Sequence, residues 1–163
     1  MYLEFEFLSL VIALESYYDH LVSDPHIMDP DAFTEFRQSI ADATPAGPAR
    51  ERVLNLVRSI GNYPPLSTQL EAVTSEYADI LHPFIDVDSV VSEATDIRHK
   101  LAHGYAEPEN DDMMDLLPRL AVIVDTILYH VIGLNRDHIQ QILATEYDIS
   151  VTKRSSDQEP VYS

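Results

Sequence analysis

The chain has no cysteine, only four glycines, and lysine only at Lys100 and Lys153. Without cysteine it can form neither a disulfide nor a thiolate metal site, and nothing in its composition indicates an oxidising compartment. Because glycine is scarce, long helices are favoured over a β structure that needs many tight turns. The longest apolar stretch, residues 120–134, is interrupted by polar side chains and is too short to cross a bilayer.

The N-terminal residues lack the basic segment of a signal peptide, so we expect a soluble, cytoplasmic protein with no membrane partner. The 163 residues, 45% of them hydrophobic, are enough for one compact domain with a real core. We therefore assign residues 1–150 to a single helical domain. The last residues, 151–163, are polar and are expected to form a mobile tail.

Basic residues are few, because 28 acidic and 10 basic side chains give a net charge of −18. Such a charge ordinarily argues against nucleic-acid binding, since phosphate contacts need lysine and arginine. An acidic, lysine-poor surface also suits a halophilic source, where concentrated salt screens the self-repulsion. A melting temperature that molar KCl does not raise would contradict the halophilic hypothesis and leave an ordinary acidic domain.

Apolar residues recur at helical spacing along most of the chain. The pattern predicts an all-α fold, an antiparallel bundle with a four-helix core and two or three accessory helices. The predicted helices cover roughly 5–22, 31–43, 48–60, 66–81, 88–104, 113–133 and 136–147.

Two places in this pattern leave alternatives open. The alternation over residues 2–5 indicates a short extended lead-in or the tail of an upstream domain. Pro118 fits a helix only within the first turn, so the helix predicted from 113 can instead begin near Leu116. That helix is apolar nearly all round, which places it at the centre of the fold or at a subunit interface.

The helix that ends at Gly104 separates its side chains into two faces at about 100° per residue. One side is the apolar stripe that faces the core, and the opposite side is polar, with Arg98 on its flank. The apolar stripe consists of Val90, Ala94, Ile97 and Leu101. The opposite side consists of Ser92, Thr95, His99, Ala102 and His103.

Two histidines one turn apart beside an arginine suit phosphoryl-transfer chemistry. Cutting RNA without a metal needs a group with a near-neutral pKa to move protons, and histidine meets that need. An arginine fork matches the geometry of a phosphate whose charge is developing. Two other interpretations stay open. The cations can simply stabilise the helix C-terminus, and His99 with His103 can hold a metal, although Asp96 points elsewhere.

The run Arg98-x4-His103, with polar His99 directly after the arginine, resembles the Arg-x4–6-His motif of HEPN domains. Most relatives have asparagine at the second position, so the histidine here leaves the role of that residue open. The segments "FLSLVIALESYYDHLV", "IRHKLAHG" and "LYHVIGLNRDHIQQIL" are similar to the ApeA-like branch of HEPN domains. In that branch the domain commonly forms the C-terminal part of a larger defence protein, which implies a possible upstream domain.

The resemblance implies a homodimer in which two motif helices face each other and share one site for RNA. It implies an endoribonuclease that needs neither metal nor cofactor and leaves a cyclic phosphate. Arg98 would stabilise the transition state, His103 would transfer protons, and His99 would orient or bind the substrate. Lys100 and Tyr105 would contact RNA.

Tyr105 adds a second resemblance. The spacing Arg98-x4-His103-x-Tyr105 is similar to that of HEPN toxins paired with nucleotidyltransferase antitoxins, in which the tyrosine is nucleotidylated. The chain would then act in antiviral defence or as a toxin with an antitoxin partner. A plain aromatic residue after a helix cap explains Tyr105 as well. The alternative from another functional class is a non-catalytic HEPN module that dimerises and serves a partner domain.

Overall fold

The computed structural model describes residues 2–104 and 109–147, so Tyr105 and the predicted tail 151–163 lie outside the described residues. Within those ranges the secondary structure consists of eight helices without strands, which confirms the predicted all-α class. The helices are α1 (Tyr2–Leu21), α2 (Pro30–Ala43), α3 (Arg50–Ser59), α4 (Leu66–Glu76), α5 (Ala78–Leu81), α6 (Val87–His103), α7 (Asn110–Val131) and α8 (Arg136–Glu146).

Four helices enclose the core. Helix α1 packs on α4 and α7, and α6 closes the ring by packing on the same two helices, which confirms the predicted four-helix core. Buried side chains from all four meet inside it, among them Phe7, Leu70, Val90 and Leu120. Helix α7 also contacts α5 and α8, so it is central in the fold, which is one of the two alternatives that the sequence left open. No helix of the described ranges is long and apolar enough to span a membrane.

The segment predicted as one helix over 66–81 is two helices, α4 and α5. The accessory helices outside the four-helix core are therefore α2, α3, α5 and α8. Tyr77 separates α4 from α5 with φ −117° and ψ 16°, outside the helical region. Its ring is fully buried, and its hydroxyl lies 2.6 Å from the hydroxyl of Tyr17 on α1. Tertiary contacts of this one side chain therefore break the helical periodicity.

The predicted extended lead-in at residues 2–5 is wrong, because α1 begins at Tyr2. A helical start places Leu3 one turn before buried Phe7, so that Leu3 packs against the core. Tyr2 and Phe5 remain 81% and 72% exposed. The alternation of apolar residues here thus reflects a helix with some apolar side chains in solvent.

Helix α7 begins at Asn110, earlier than residue 113 or Leu116, and Pro118 lies in its interior. The acidic side chains of Asp111 and Asp112 favour this early start, because carboxylates stabilise the positive end of a helix dipole. Pro118 cannot donate a hydrogen bond to the carbonyl of Met114. Both residues are exposed, so water can satisfy that carbonyl.

Candidate active site

Helix α6 carries the motif and is defined at both ends. At its start, the side chain of Asp86 accepts a hydrogen bond from the backbone N–H of Ser89 at 3.3 Å. At its end, Gly104 adopts the left-handed conformation with φ 63°, and its N–H donates to the carbonyl of Lys100 at 2.9 Å. Glycine adopts this left-handed conformation without a steric penalty, so it ends the helix directly after His103. His103 therefore lies in the last turn of α6.

The two faces of α6 lie as the helical pattern predicted. Its buried residues are Val87, Val90, Val91, Ala94 and Ile97, while His99, Ala102 and His103 are exposed. The imidazole rings of His99 and His103 are in contact, with centroids 4.5 Å apart and planes inclined by 55°. The structure therefore places two titratable rings together on the outward side of one helix.

Arg98 and Lys100 are half-buried on the two flanks of this face. By the helical repeat, Arg98 lies about 140° from His103, whereas Lys100 lies only about 60° from it. Within one copy of α6, the Arg98 guanidinium group and the His103 imidazole therefore point to different sides of the helix.

The two cations of the motif differ from Arg119 and Arg136, which are paired with carboxylates. Arg119 forms a salt bridge with Glu93, and Arg136 forms one with Asp79. Within residues 2–104 and 109–147, neither Arg98 nor Lys100 forms a salt bridge. Their charges can therefore act on a phosphate group.

The guanidinium group of Arg119 on α7 forms a bidentate contact with Glu93 in the first half of α6. Its Nη1 donates to Oε1 of Glu93 at 3.1 Å, and its Nη2 donates to Oε2. The Ser89 hydroxyl also donates to Glu93. The bond from Arg119 is the main cause that holds the pKa of Glu93 below its usual range, with a smaller contribution from Ser89. These contacts join the first half of α6 to α7.

The sequence analysis did not identify this pair. The spacing of Ser89 and Glu93 on one helix face is a signal that could have suggested a local hydrogen bond. The identity of Arg119 as the partner depends on the register between α6 and α7, which hydrophobic periodicity does not give. Because Glu93 meets Arg119, and only residues 104–109 connect the helices, α6 and α7 run antiparallel.

A groove of about 340 Å³ lies between α4 and α6. Its polar lining consists of Ser67, Glu71, Asp88, Ser92, Thr95 and Asp96. Thr95 and Asp96 lie about one turn before His99, so the groove leads to the motif face. Three carboxylates repel phosphate, which makes this side of the pair unfavourable for RNA.

Among residues 2–104 and 109–147, the alternative of a metal site finds no third ligand. In the described part of the chain, no group of three histidine, aspartate or glutamate side chains is arranged to hold a metal ion. His99 and His103 would supply only two ligands. Tyr105, the remaining predicted site residue, lies outside the described residues.

Comparison with family models matches the Apea-like HEPN model over residues 8–138. The comparisons with curated proteins and with solved structures found no match. The matched range covers most of the chain, includes α2 to α7 completely, and contains the motif between Arg98 and His103. The chain therefore belongs to the Apea-like HEPN family.

Proposed function

We propose that the chain is a metal-independent endoribonuclease that acts as a homodimer in antiviral defence or as a toxin effector. The observation that carries the proposal is the exposed contact between His99 and His103, flanked by Arg98 on α6. Membership in the Apea-like HEPN family supports it, because the arrangement lies inside the matched range.

The proposed reaction is a transesterification within RNA. The 2′-hydroxyl loses its proton to a base and attacks the adjacent phosphorus, and the bond from phosphorus to the 5′ oxygen breaks. The leaving 5′ oxygen takes up a proton, so the products are a 2′,3′-cyclic phosphate and a 5′-hydroxyl end. In a dimer, one neutral His103 can accept the first proton and one protonated His103 can donate the second.

Helix geometry favours a site built from two chains. On one α6, Arg98 and His103 lie about 140° apart, so a second motif helix is needed to bring a guanidinium opposite the imidazole. The exposed methyl group of Ala102 leaves room for a second helix to approach closely. In this arrangement Arg98 stabilises the charge that develops on the phosphate oxygens.

The other motif residues are assigned to substrate binding. His99 contacts His103 and would orient it or bind a phosphate oxygen. Lys100 flanks the same face and would contact RNA. Tyr105 would contact RNA as well, or accept a nucleotidyl group if the chain is a toxin with an antitoxin partner.

Cleavage of RNA in EDTA and high KCl tests the proposal. His103→Ala is expected to lower the rate by about 10²–10⁴-fold, the usual contribution of a general acid or base. His138→Ala is the matched control, because His138 is exposed on α8 and removed from the motif. Equal cleavage by the wild type and His103→Ala would overturn the assigned site.

The same preparation decides between the nuclease and a non-catalytic interaction module. The dipole of α6 favours cations at its C-terminus, so the motif has a structural use even without catalysis. A stable dimer in light scattering that cleaves no RNA would favour the module. Growth arrest on expression, relieved by His103→Ala, would favour the toxin.

A further inference from the structure

Helices α2 and α3 form a hairpin, residues 30–59, that packs mainly on itself. Asn62 closes the base of this α2–α3 hairpin. Its Nδ2 donates to the carbonyl of Met28 at 2.7 Å, and its Oδ1 accepts from the Met28 N–H at 3.2 Å. The Asn62 carbonyl also accepts from the N–H of Ile27 at 3.1 Å, so the hairpin is closed by three bonds.

The charge of the α2–α3 hairpin differs from that of the remaining chain. Its two helices carry four acidic and four basic residues, so the whole net charge of −18 lies elsewhere. Helix α3 alone has three arginines against Glu51. None of the other seven described helices has more basic than acidic residues. Among the described helices, α3 therefore has the charge most favourable for an anion.

A groove of about 380 Å³ lies between α2 and α3. Arg37 of α2 and Arg58 of α3 both line it. Arg37 uses Nη2 to donate to the carbonyl of Arg58 at 2.6 Å, and Arg58 uses Nη1 to donate to Oδ1 of Asn55 at 3.3 Å. Neither guanidinium forms a salt bridge within the described residues. Each guanidinium has five N–H donors, so most of them remain available to phosphate oxygens.

We infer that the α2–α3 hairpin binds the phosphate backbone of the RNA substrate through Arg37, Arg52 and Arg58. The inference rests on the proposed function for the identity of the polyanion. Arg52 is exposed on α3 and lines a second groove of that helix, and it forms no salt bridge within the described residues. Planar arginine forks suit phosphate better than the single point charge of lysine.

The hairpin leads into α4, and α4 packs on α6, the helix that carries the motif. Asn62 lies four residues before α4, and Ser67 in the first turn of α4 lines the same groove as Asp96. Asp96 precedes His99 by one turn of α6. RNA held by the hairpin would have to avoid the acidic groove between α4 and α6 to reach the histidine pair.

Binding of a fluorescein-labelled single-stranded RNA, measured by anisotropy in EDTA over a range of KCl concentrations, tests the inference. All proteins carry His103→Ala so that the RNA stays intact. The double variant Arg52→Gln/Arg58→Gln is expected to bind about tenfold more weakly in 0.1 M salt. The slope of log K against log salt should fall by about 1.4, since each phosphate contact contributes about 0.7. The control Arg136→Gln removes a charge already paired with Asp79 and should change the affinity less than twofold.

Unchanged affinity and salt slope in the double variant would overturn the inference. A change in oligomeric state by light scattering, without a change in RNA affinity, would also overturn it and assign the hairpin to contacts between copies. Glu35→Lys adds positive charge to exposed α2 and should tighten binding, which keeps the test valid if the double variant fails to fold.

Cleavage kinetics separate this inference from the proposed function. If the chain with intact His103 cleaves RNA and the double variant keeps the same KM, the hairpin inference fails and the nuclease proposal stands. If the double variant weakens RNA binding but the chain cleaves no RNA, the hairpin inference stands and the nuclease proposal fails. A raised KM with unchanged kcat supports both.

Discussion

The two halves of α6 have opposite surroundings. The first half, Val87–Ile97, contains all the buried residues of the helix and is held to α7 by the contact of Glu93 with Arg119. The second half, Arg98–His103, contributes no fully buried side chain and carries the cations and the imidazole pair. One continuous helix thus joins an anchored segment to a more exposed one that carries cationic and titratable side chains.

The difference teaches how a small bundle can hold reactive groups in place without burying them. Burial of the first half fixes the axis and rotation of α6, and the helical repeat then determines where the exposed residues point. Changes in the exposed half should therefore affect catalysis more than stability. Changes in the residues that anchor or end the helix should affect stability first.

Arg98→Lys should give the largest effect and test the exposed half. Lysine keeps the positive charge but loses the planar fork, so kcat is expected to fall by about 10²–10³-fold, as when one transition-state donor is removed. The free energy of unfolding should change by less than about 0.5 kcal/mol. Single-turnover RNA cleavage and urea denaturation measure the two quantities. Arg136→Lys is the matched control, and full activity of Arg98→Lys would show that the fork has no role.

Gly104→Ala should give an intermediate effect, on stability. Among the described residues, a Cβ at this position would meet no atom within 4 Å, so the expected penalty is that of the left-handed backbone at φ 63°. We expect a loss of about 1–2 kcal/mol, measured by urea denaturation. Asparagine tolerates this conformation better, so Gly104→Asn should lose clearly less. Equal stability of all three proteins would mean that the helix end adapts without strain, and that Gly104 does not fix the last turn.

Hydrophobic periodicity and cap residues were sufficient to predict much of α6 and of the fold. The apolar stripe from Val90 to Ile97, the outward face with His99 and His103, and the end at Gly104 all follow from local spacing. The HEPN motif lies in the same segment, because its residues are close together in one helix, whereas the ApeA-like resemblance also rested on segments of the first and last helices. Features determined by position along a single element were therefore predictable.

Features that depend on how two elements meet were not predictable from local patterns. The break at Tyr77 results from a buried ring and its contact with Tyr17 of another helix. Helix α8 is held by the hydroxyls of Tyr129 and Tyr147, which bond to Glu146 and Asp125. Burial is the first cause that raises the pKa of Tyr147, followed by its bond to Asp125. None of these partners lies at a spacing that a helical pattern reveals.

The contact between Glu93 and Arg119 should give the smallest effect and test the anchored half. Their side chains are 40% and 28% exposed, so water screens much of the attraction. A double-mutant cycle with Glu93→Gln and Arg119→Gln should give a coupling of about 0.5–1 kcal/mol at neutral pH and low salt. Arg136→Gln, combined with Glu93→Gln, is the uncoupled control.

The pH dependence of that coupling distinguishes an ion pair from simple packing. Because the pKa of Glu93 is lowered in the folded protein, its charge stabilises the fold at pH values above the ordinary carboxyl pKa of 4.5. The coupling should shrink as pH falls below that value and vanish once Glu93 is protonated in the folded state. A coupling that persists in acid would assign the contact to packing. If Glu93→Gln also lowers kcat several-fold while His99 and His103 are intact, the anchored half positions the exposed half, as the geometry of α6 requires.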